Sequence, residues 1–350
     1  MVKDVVQVDE MRQPLTRRDR PMTLSQVMAD VDREGAKELS YLLPLATGFQ
    51  PLDDMLNGGM RPGELMILGG TFGVGKTIFG LQAARNVAQA SAQHGAVYVC
   101  YEHDPSHLMS RLLCLESVES CAPHEALTLS KLTQLANGRS NGDGLISQLR
   151  RTPRHAQVLA AMDAYASRLL LVGASGVHGD LARIREWVEK ATAQGTRRVL
   201  LVIDYLQKIP TGRTDLGSEV EITTHVAQGL KELAVTMGIP IIAIAAADLA
   251  GLRSKRMRLT DLRGGSALQY EADVGIVLHN KHDIISRDHL LYGAGQAEEM
   301  REWVIISIEK NRAGIKEVDM ECRLDAAHFR LDTHGRIVRE RLVDERAVLA

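Results

Sequence analysis

Leu65 to Ala84, LMILGGTFGVGKTIFGLQAA, sets a short apolar run against a glycine-rich turn and then a helical pattern. Inside it, Gly70-Thr71-Phe72-Gly73-Val74-Gly75-Lys76-Thr77 fits the phosphate-loop template G-x-x-x-x-G-K-[ST] at every fixed position. The spacing follows from the chemistry. Gly70, Gly73 and Gly75 reach positive φ without steric cost, so successive backbone N–H groups can converge on the phosphates of a nucleotide. The helix opening at Lys76, with Ile78 in its first turn, adds its positive dipole end to the same anion site. Lys76 is expected to reach the terminal phosphates, and Thr77 to offer its hydroxyl to Mg²⁺. A strand-to-helix turn that serves packing alone is the competing reading, and it leaves the lysine and threonine in register unexplained.

Outward from this loop the pattern alternates. Pro62-Gly63-Glu64 launches a strand at Leu65–Leu68, and a helix runs from Lys76 to about Gln93, stopped by Gly95. Ala96 to Tyr101 reads as a buried strand ending at Glu102-His103-Asp104-Pro105. Helical patterns fill Ser106 to Arg168, broken by a loop-like stretch from Asn137 to Gly144. Leu169–Val172, Val199–Asp204 and Ile239–Ile244 are further strands. Helices cover Asp180–Gln194 and Ser218–Met237, the second capped by Ser218 with Glu221 three residues on. Asp273–Leu278, Trp303–Glu309 and Val318–Leu324 follow as strands with little helix between them. This order predicts an α/β fold of three layers, a mostly parallel twisted sheet flanked by helices with an antiparallel C-terminal extension.

Residues 1–22 read as a flexible tail. Thr23-Leu24-Ser25-Gln26 opens an amphipathic helix to about Lys37, packed either on another subunit or on its own domain. With its connection this segment fills 23–45; the main domain is expected over 46–333, and 334–350 as a C-terminal tail.

At 350 residues, 45% hydrophobic and 25% charged, the chain can bury a sizeable core. A net charge of −2 offers no global basic field for nucleic acid, so any such site must be local. Cys100, Cys114, Cys121 and Cys322 form no C-x-x-C pair and predict reduced thiols without zinc. The chain opens on no apolar signal region, and no apolar run nears the ~18 residues that span a bilayer, so a cytoplasmic location without membrane contact is expected.

Asp204 closes a buried strand, the place of a carboxylate that holds Mg²⁺ beside a phosphate loop; a helix cap is the alternative. Glu102 ends the strand after the phosphate-loop helix, where ligands collect, and is the candidate base for hydrolysis, with His103 and Asp104 as competitors and a solvated acid as the plain reading. Lys310-Asn311-Arg312-Ala313-Gly314 sets two cations at a strand end, able to meet a γ-phosphate across a subunit boundary or to form a solvated basic turn. Arg253, Lys255, Arg256 and Arg258 make the densest basic stretch. It suits contacts to a phosphate backbone without base stacking, or else a solvated loop.

The order of these motifs resembles the C-terminal ATPase domain of DnaB-type replicative helicases, within the RecA-like group, from about Ala46 to Asp332. The carriers are Thr47-Gly48-Phe49-Gln50-Pro51-Leu52-Asp53, Gly73-Val74-Gly75-Lys76-Thr77, Tyr101-Glu102-His103-Asp104-Pro105, Ile203-Asp204-Tyr205-Leu206-Gln207, Asp261-Leu262-Arg263 with Glu271-Ala272-Asp273, and Lys310-Asn311-Arg312-Ala313-Gly314. The resemblance implies a RecA-like fold and a Mg²⁺-dependent ATPase that assembles as a homo-oligomeric ring, a hexamer on the family's pattern. Glu102 then stands for the family's catalytic glutamate, Asp204 for its Mg²⁺-associated acid, and Lys310 with Arg312 for its trans-acting lysine and arginine finger. Val74, Ile78 and Gln207 join the nucleotide contacts. The first helix looks like the linker that docks on a neighbouring protomer, and the loops near Lys208–Gly217 and Asp248–Gly265 like those that track single-stranded DNA.

Three departures stand out. Few residues precede Ala46, where the family carries a helical N-terminal domain that engages primase, which leaves room for a separate protein partner. Ala245-Ala246 replaces the family's Ser-Gln phosphate sensor, which removes hydrogen-bonding capacity there. Gly264 replaces a glutamate. A regulatory or recombination ATPase of the KaiC or RadA sort, or a nucleotide-gated scaffold, therefore stands beside the translocase reading.

Overall fold

The computed structural model describes residues 21–34, 43–138, 144–193, 195–213, 215–254, 256–284 and 299–338. The expected tails before 21 and after 338, the end of the first expected helix, part of the loop near 137–144, and Lys255 lie outside the described residues. The chain divides at Leu43 into two units. In the first, α1 (Leu24–Glu34) begins at a reciprocal cap: Thr23 N donates to Gln26 Oε1 at 2.8 Å, and Gln26 N donates back to Thr23 Oγ1 at 3.3 Å.

The second unit is built on one sheet. Its parallel strands are β1 (Leu65–Gly70), β2 (His94–Cys100), β3 (Leu169–Gly173), β4 (Arg198–Asp204), β5 (Ile241–Ile244) and β6 (Val274–Asn280), and β7 (Trp303–Asn311), β8 (Val318–Asp325), β9 (Arg330–Leu331) and β10 (Arg336–Ile337) extend it. The order across the sheet is β10-β8-β7-β6-β1-β5-β4-β2-β3, with β9 paired to β8. Pairing is parallel from β6 through β3 and antiparallel from β6 outward to β10, which bears out the expected parallel sheet and antiparallel extension. Central strands β1 and β5, and β4 between its terminal Arg198 and Asp204, carry no polar side chain because both faces are covered.

The pleat divides these residues by period two. Met66, Leu68, Tyr98, Val202 and Ile242 face one core with α2 (Leu52–Met55), α3 (Lys76–Ala90) and α4 (Pro105–Ser120). On the other face Leu65, Ile67, Val99, Leu201 and Ile241 meet residues of α8 (Leu181–Ala193), α9 (Glu219–Met237) and α10 (Gly265–Glu271). A satellite cluster joins α4 to α5 (Leu129–Asn137), α6 (Leu145–Arg151) and α7 (Pro153–Asp163), and a short α11 (Lys281–Ile284) follows β6. The cap of α9 is the reciprocal Ser218–Glu221 pair expected from sequence.

At one boundary the signal read from sequence serves another purpose. Gly95 does not stop α3; the helix ends at Ala90, Ser91 turns extended, and Gly95 lies within β2 opposite Val199. A Cβ at Gly95 would meet Thr196 Cγ2 at 2.8 Å, so glycine serves a close approach within the sheet rather than a helix terminus. The segment 47–53 is tied down by Asp53, whose carboxylate accepts from Thr47 N, Thr47 Oγ1 and Gly48 N at 2.8–2.9 Å, while Phe49 stacks on Phe79 of α3 with ring centroids 4.6 Å apart.

Candidate nucleotide site

The phosphate loop joins the C-terminal end of β1 to α3. Gly75 is the N-cap of α3 in the left-handed region, φ 102°, a conformation that costs an L side chain and costs glycine nothing. At Gly70, φ 148°, a Cβ would meet Leu278 O at 2.8 Å and Val74 Cγ1 at 2.9 Å. Val74 therefore packs beneath the loop, buried, and offers a nucleotide its backbone only.

Lys76 Nζ donates to Gly70 O at 2.8 Å and Thr71 O at 2.7 Å, so the ammonium caps the loop it belongs to. Burial lowers its pKa to about 8 against the opposing attraction of Asp204 and Glu102. Thr77 Oγ1 donates to Asp204 Oδ2 at 2.8 Å, and the buried Tyr98 hydroxyl donates to the same oxygen at 2.8 Å. Burial first, and then Asp204, raise the Tyr98 pKa well above its ordinary value, which keeps that hydroxyl a donor. The pairing brings together the hydroxyl and carboxylate expected to share Mg²⁺, and a hard-oxygen set of this kind fits a Mg²⁺ that keeps most of its waters. Glycine-rich backbone, lysine and helix N-terminus likewise fit the phosphates.

These groups open on a cleft of about 340 Å³, lined by Gly70, Gly73, Gly75, Lys76, Thr77 and Ile78 on one side and by Glu102 and Asp204 on the other. Of the three groups weighed at the end of β2, only Glu102 lines it. Asp104 is the N-cap of α4, accepting from His107 N at 3.0 Å. His103 contacts Arg111 instead. Sequence reasoning missed Arg111 and Phe329 on the wall, whereas Ala246, singled out in the sequence as half of the pair in place of the polar sensor, lines it with its methyl. Arg111 had a signal, since His107 and Arg111 share one face of α4 at i, i+4 directly after Glu102.

Gln207 does not line the cleft. Its Oε1 accepts from Ala246 N at 3.1 Å and its Nε2 donates to Arg263 O at 3.1 Å, so it latches the end of β4 to both ends of the 246–263 excursion. That excursion is closed by Arg263 N donating to Ala246 O and Asp248 N donating to Asp261 O, with Met257, Leu259 and Leu262 buried.

The basic stretch is divided rather than pooled. Arg256 makes a two-pronged contact to Asp319 at 2.7 Å and is 12% exposed, and Arg258 pairs with Glu309 at 2.7 Å. Arg253 is exposed at the end of a short 3₁₀ turn. The patch expected from sequence is thus not a pool of free cations: Arg258 and Arg256 are paired with carboxylates of β7 and β8, 51 and 63 residues away along the chain.

Lys310 and Arg312 lie at the other end of the sheet. Arg312 Nη1 donates to Asp273 Oδ1 at 3.1 Å, while Asp273 Oδ2 accepts from Leu65 N, the first residue of β1, at 2.8 Å. Lys310 Nζ donates to Gln269 O at 2.5 Å. The phosphate loop follows the last residue of β1, so the whole strand, roughly 17 Å at ~3.3 Å per residue, separates these cations from their own chain's loop.

The family model for the DnaB-like helicase C-terminal domain matches residues 44–330. The replicative DNA helicase DnaB of Geobacillus stearothermophilus is 26% identical over 306 residues, covering 81% of this chain and 58% of that protein. The protein of the same name from Rickettsia prowazekii (strain Madrid E) is 25% identical over 294 residues, covering 81% and 54%. The chain thus spans little more than half the length of these relatives. Among solved structures, one described as an ATPase domain superposes with a TM-score of 0.68 at 16% identity over 89% of this chain and 99% of that one. A DnaB-like replicative helicase, described with its interactions with primase, superposes with a TM-score of 0.65 at 17% identity over 89% and 67%. At such identities these two likenesses speak to the fold.

Proposed function

We propose that this chain, which belongs to the family of DnaB-like helicase C-terminal domains, is an ATPase that works as a ring of copies, a hexamer, moving along single-stranded DNA in the cytoplasm. The observation that carries this reading is the split site: phosphate loop, Thr77, Asp204 and Glu102 gather at one end of the parallel strands, and Lys310 with Arg312 at the other. The loop and this pair of cations lie at opposite ends of the strands, out of each other's reach within one copy. A ring in which one copy's loop faces the next copy's Arg312 completes both, and α1, with exposed Leu24, Val27 and Met28, is the segment assigned to the neighbour.

In this site Lys76 and the loop N–H groups hold the β- and γ-phosphates, and Thr77 with Asp204 holds Mg²⁺. Bound there, Mg²⁺ supplies charge neutralisation at the phosphate oxygens. Glu102 orients a water for attack on the γ-phosphorus and takes up its proton. Arg312 and Lys310 of the neighbour meet the charge that develops on the transferred group. Arg253 and the loop after β4 face the strand of DNA.

A second reading has its own observation. Ala246 gives the cleft a methyl where a polar sensor stands in the family, which favours a ring that binds ATP and hydrolyses it slowly, as a regulator or scaffold, with a separate protein as its partner. An ATPase assay with and without single-stranded DNA separates the two. The translocase predicts stimulation of at least several-fold; indifference to DNA contradicts it and leaves the scaffold.

A further inference from the structure

Arg111 is an unusual cation for its surroundings. It lines the phosphate cleft, its Nε is buried without a partner, and among the described residues no carboxylate forms an ion pair with it. Two aromatic groups fix its guanidinium. It lies 5.1 Å from the centroid of the Phe329 ring, and its Nη2 is 3.0 Å from His103 Nε2. Arginine has donors only, so His103 must be the acceptor and therefore neutral at Nε2. The imidazole is itself held: it stacks on His107 with centroids 4.5 Å apart and planes 17° apart, and its backbone N–H points to Cys100 Sγ at 3.3 Å. Phe329 is held as well, because Gln82 of α3 exchanges two 2.9 Å hydrogen bonds with the backbone of Leu331.

We propose that His103 is a positioning residue of the nucleotide site: neutral, it holds the Arg111 guanidinium at the cleft wall as a same-chain cation for the phosphates. The proposal rests on the nucleotide reading above. An arginine without a carboxylate costs desolvation that an incoming polyphosphate repays, and a clasp formed in advance removes the ordering cost at binding. Protonated, His103 presents a second donor and a second positive charge to Arg111, and the clasp opens.

The charged and titratable groups around the clasp are Glu102, Asp104 and His107 on its own segment, Cys100 and Tyr98 on β2, and Lys76 and Asp204 across the cleft. On the turn that carries Phe329, His328 is already bonded to Asp325 at 2.8 Å. Among these groups only His103 accepts from Arg111, so its substitution isolates the clasp from the other titrations, which the variants share.

The test is titration of the full chain with a slowly hydrolysed ATP analogue and Mg²⁺ between pH 5 and 8.5, the range over which histidine side chains change charge. His103→Lys, a permanent cation, is expected to bind about three- to tenfold more weakly than the parent protein at pH 8 and to raise KM more than it lowers kcat. His103→Gln, which keeps a carbonyl acceptor, is expected to rescue that loss and to weaken less than the parent protein as pH falls. In an Arg111→Ala background both substitutions should become silent. Thermal unfolding of each variant reports folding. Identical pH profiles for the parent protein and His103→Gln, or parent-like affinity in folded His103→Lys, overturn the proposal. A folded parent protein that binds no analogue at any pH overturns the nucleotide reading itself, and this proposal with it.

Discussion

Lys76 carries a residue-level cost in the site. Its buried ammonium binds a proton less tightly, at about 8, than the ordinary lysine value of 10.5 that applies in the unfolded chain. Between those two values the unfolded chain holds more protons, so this residue makes the fold more stable as pH rises through the window; below pH 8 its charge is a standing cost. Lys76→Met has no such titration. Its stability relative to the parent protein should therefore fall between pH 8 and pH 10.5, by on the order of 1–3 kcal/mol, when urea unfolding is compared across the window. A difference that does not change with pH would show that Lys76 is not strained by burial. The same substitution removes the cation from the phosphate loop, and nucleotide binding should go with it.

Elements explain what one dimension of sequence shows and what it hides. Phosphate loop, strand-end Asp204 and the α9 cap are legible because each is local: the residues that define them lie within a few positions of one another. Arg256 and Arg258 read in sequence as part of a pooled basic patch because Asp319 and Glu309 come beside them only when β7 and β8 fold against the excursion after β5. Asp104 rivals Glu102 as a base only until α4 places a backbone N–H over it. Gly95 carries a stop signal that a tight packing site against Thr196 equally demands. The stretch around Arg253 now predicts two separable effects. Arg256→Ala should cost about 2 kcal/mol of stability, because Asp319 is left half-buried without its guanidinium. Arg253→Ala should leave stability alone and lower the slope of log affinity for single-stranded DNA against log salt by about one. Equal effects of the two on DNA binding with no loss of stability would show that both arginines face the nucleic acid.

At the scale of the whole molecule, the sheet acts as a spacer. Its parallel strands put the phosphate loop, Asp204 and Glu102 at their C-terminal ends, and Asp273 anchors Arg312 at the opposite end with half of its side chain exposed, 54%. A chain built this way presents a donor of charge on one edge and an acceptor site on the other, a head-to-tail arrangement that closes into a ring when the rotation allows. No helix among the described residues is long and apolar enough to cross a membrane. A catalytic site that forms between copies, as proposed, is tested most directly by mixing two inactive variants. Arg312→Ala keeps Glu102 but lacks the finger, and Glu102→Gln keeps the finger but should lose at least about a hundredfold in hydrolysis. When the two are combined at equal concentration, the boundary between an Arg312→Ala loop and a Glu102→Gln neighbour restores a complete site. ATPase activity of the mixture well above the mean of the separate variants is the predicted result. Activity equal to that mean, with light scattering showing mixed rings, would contradict a site shared between subunits.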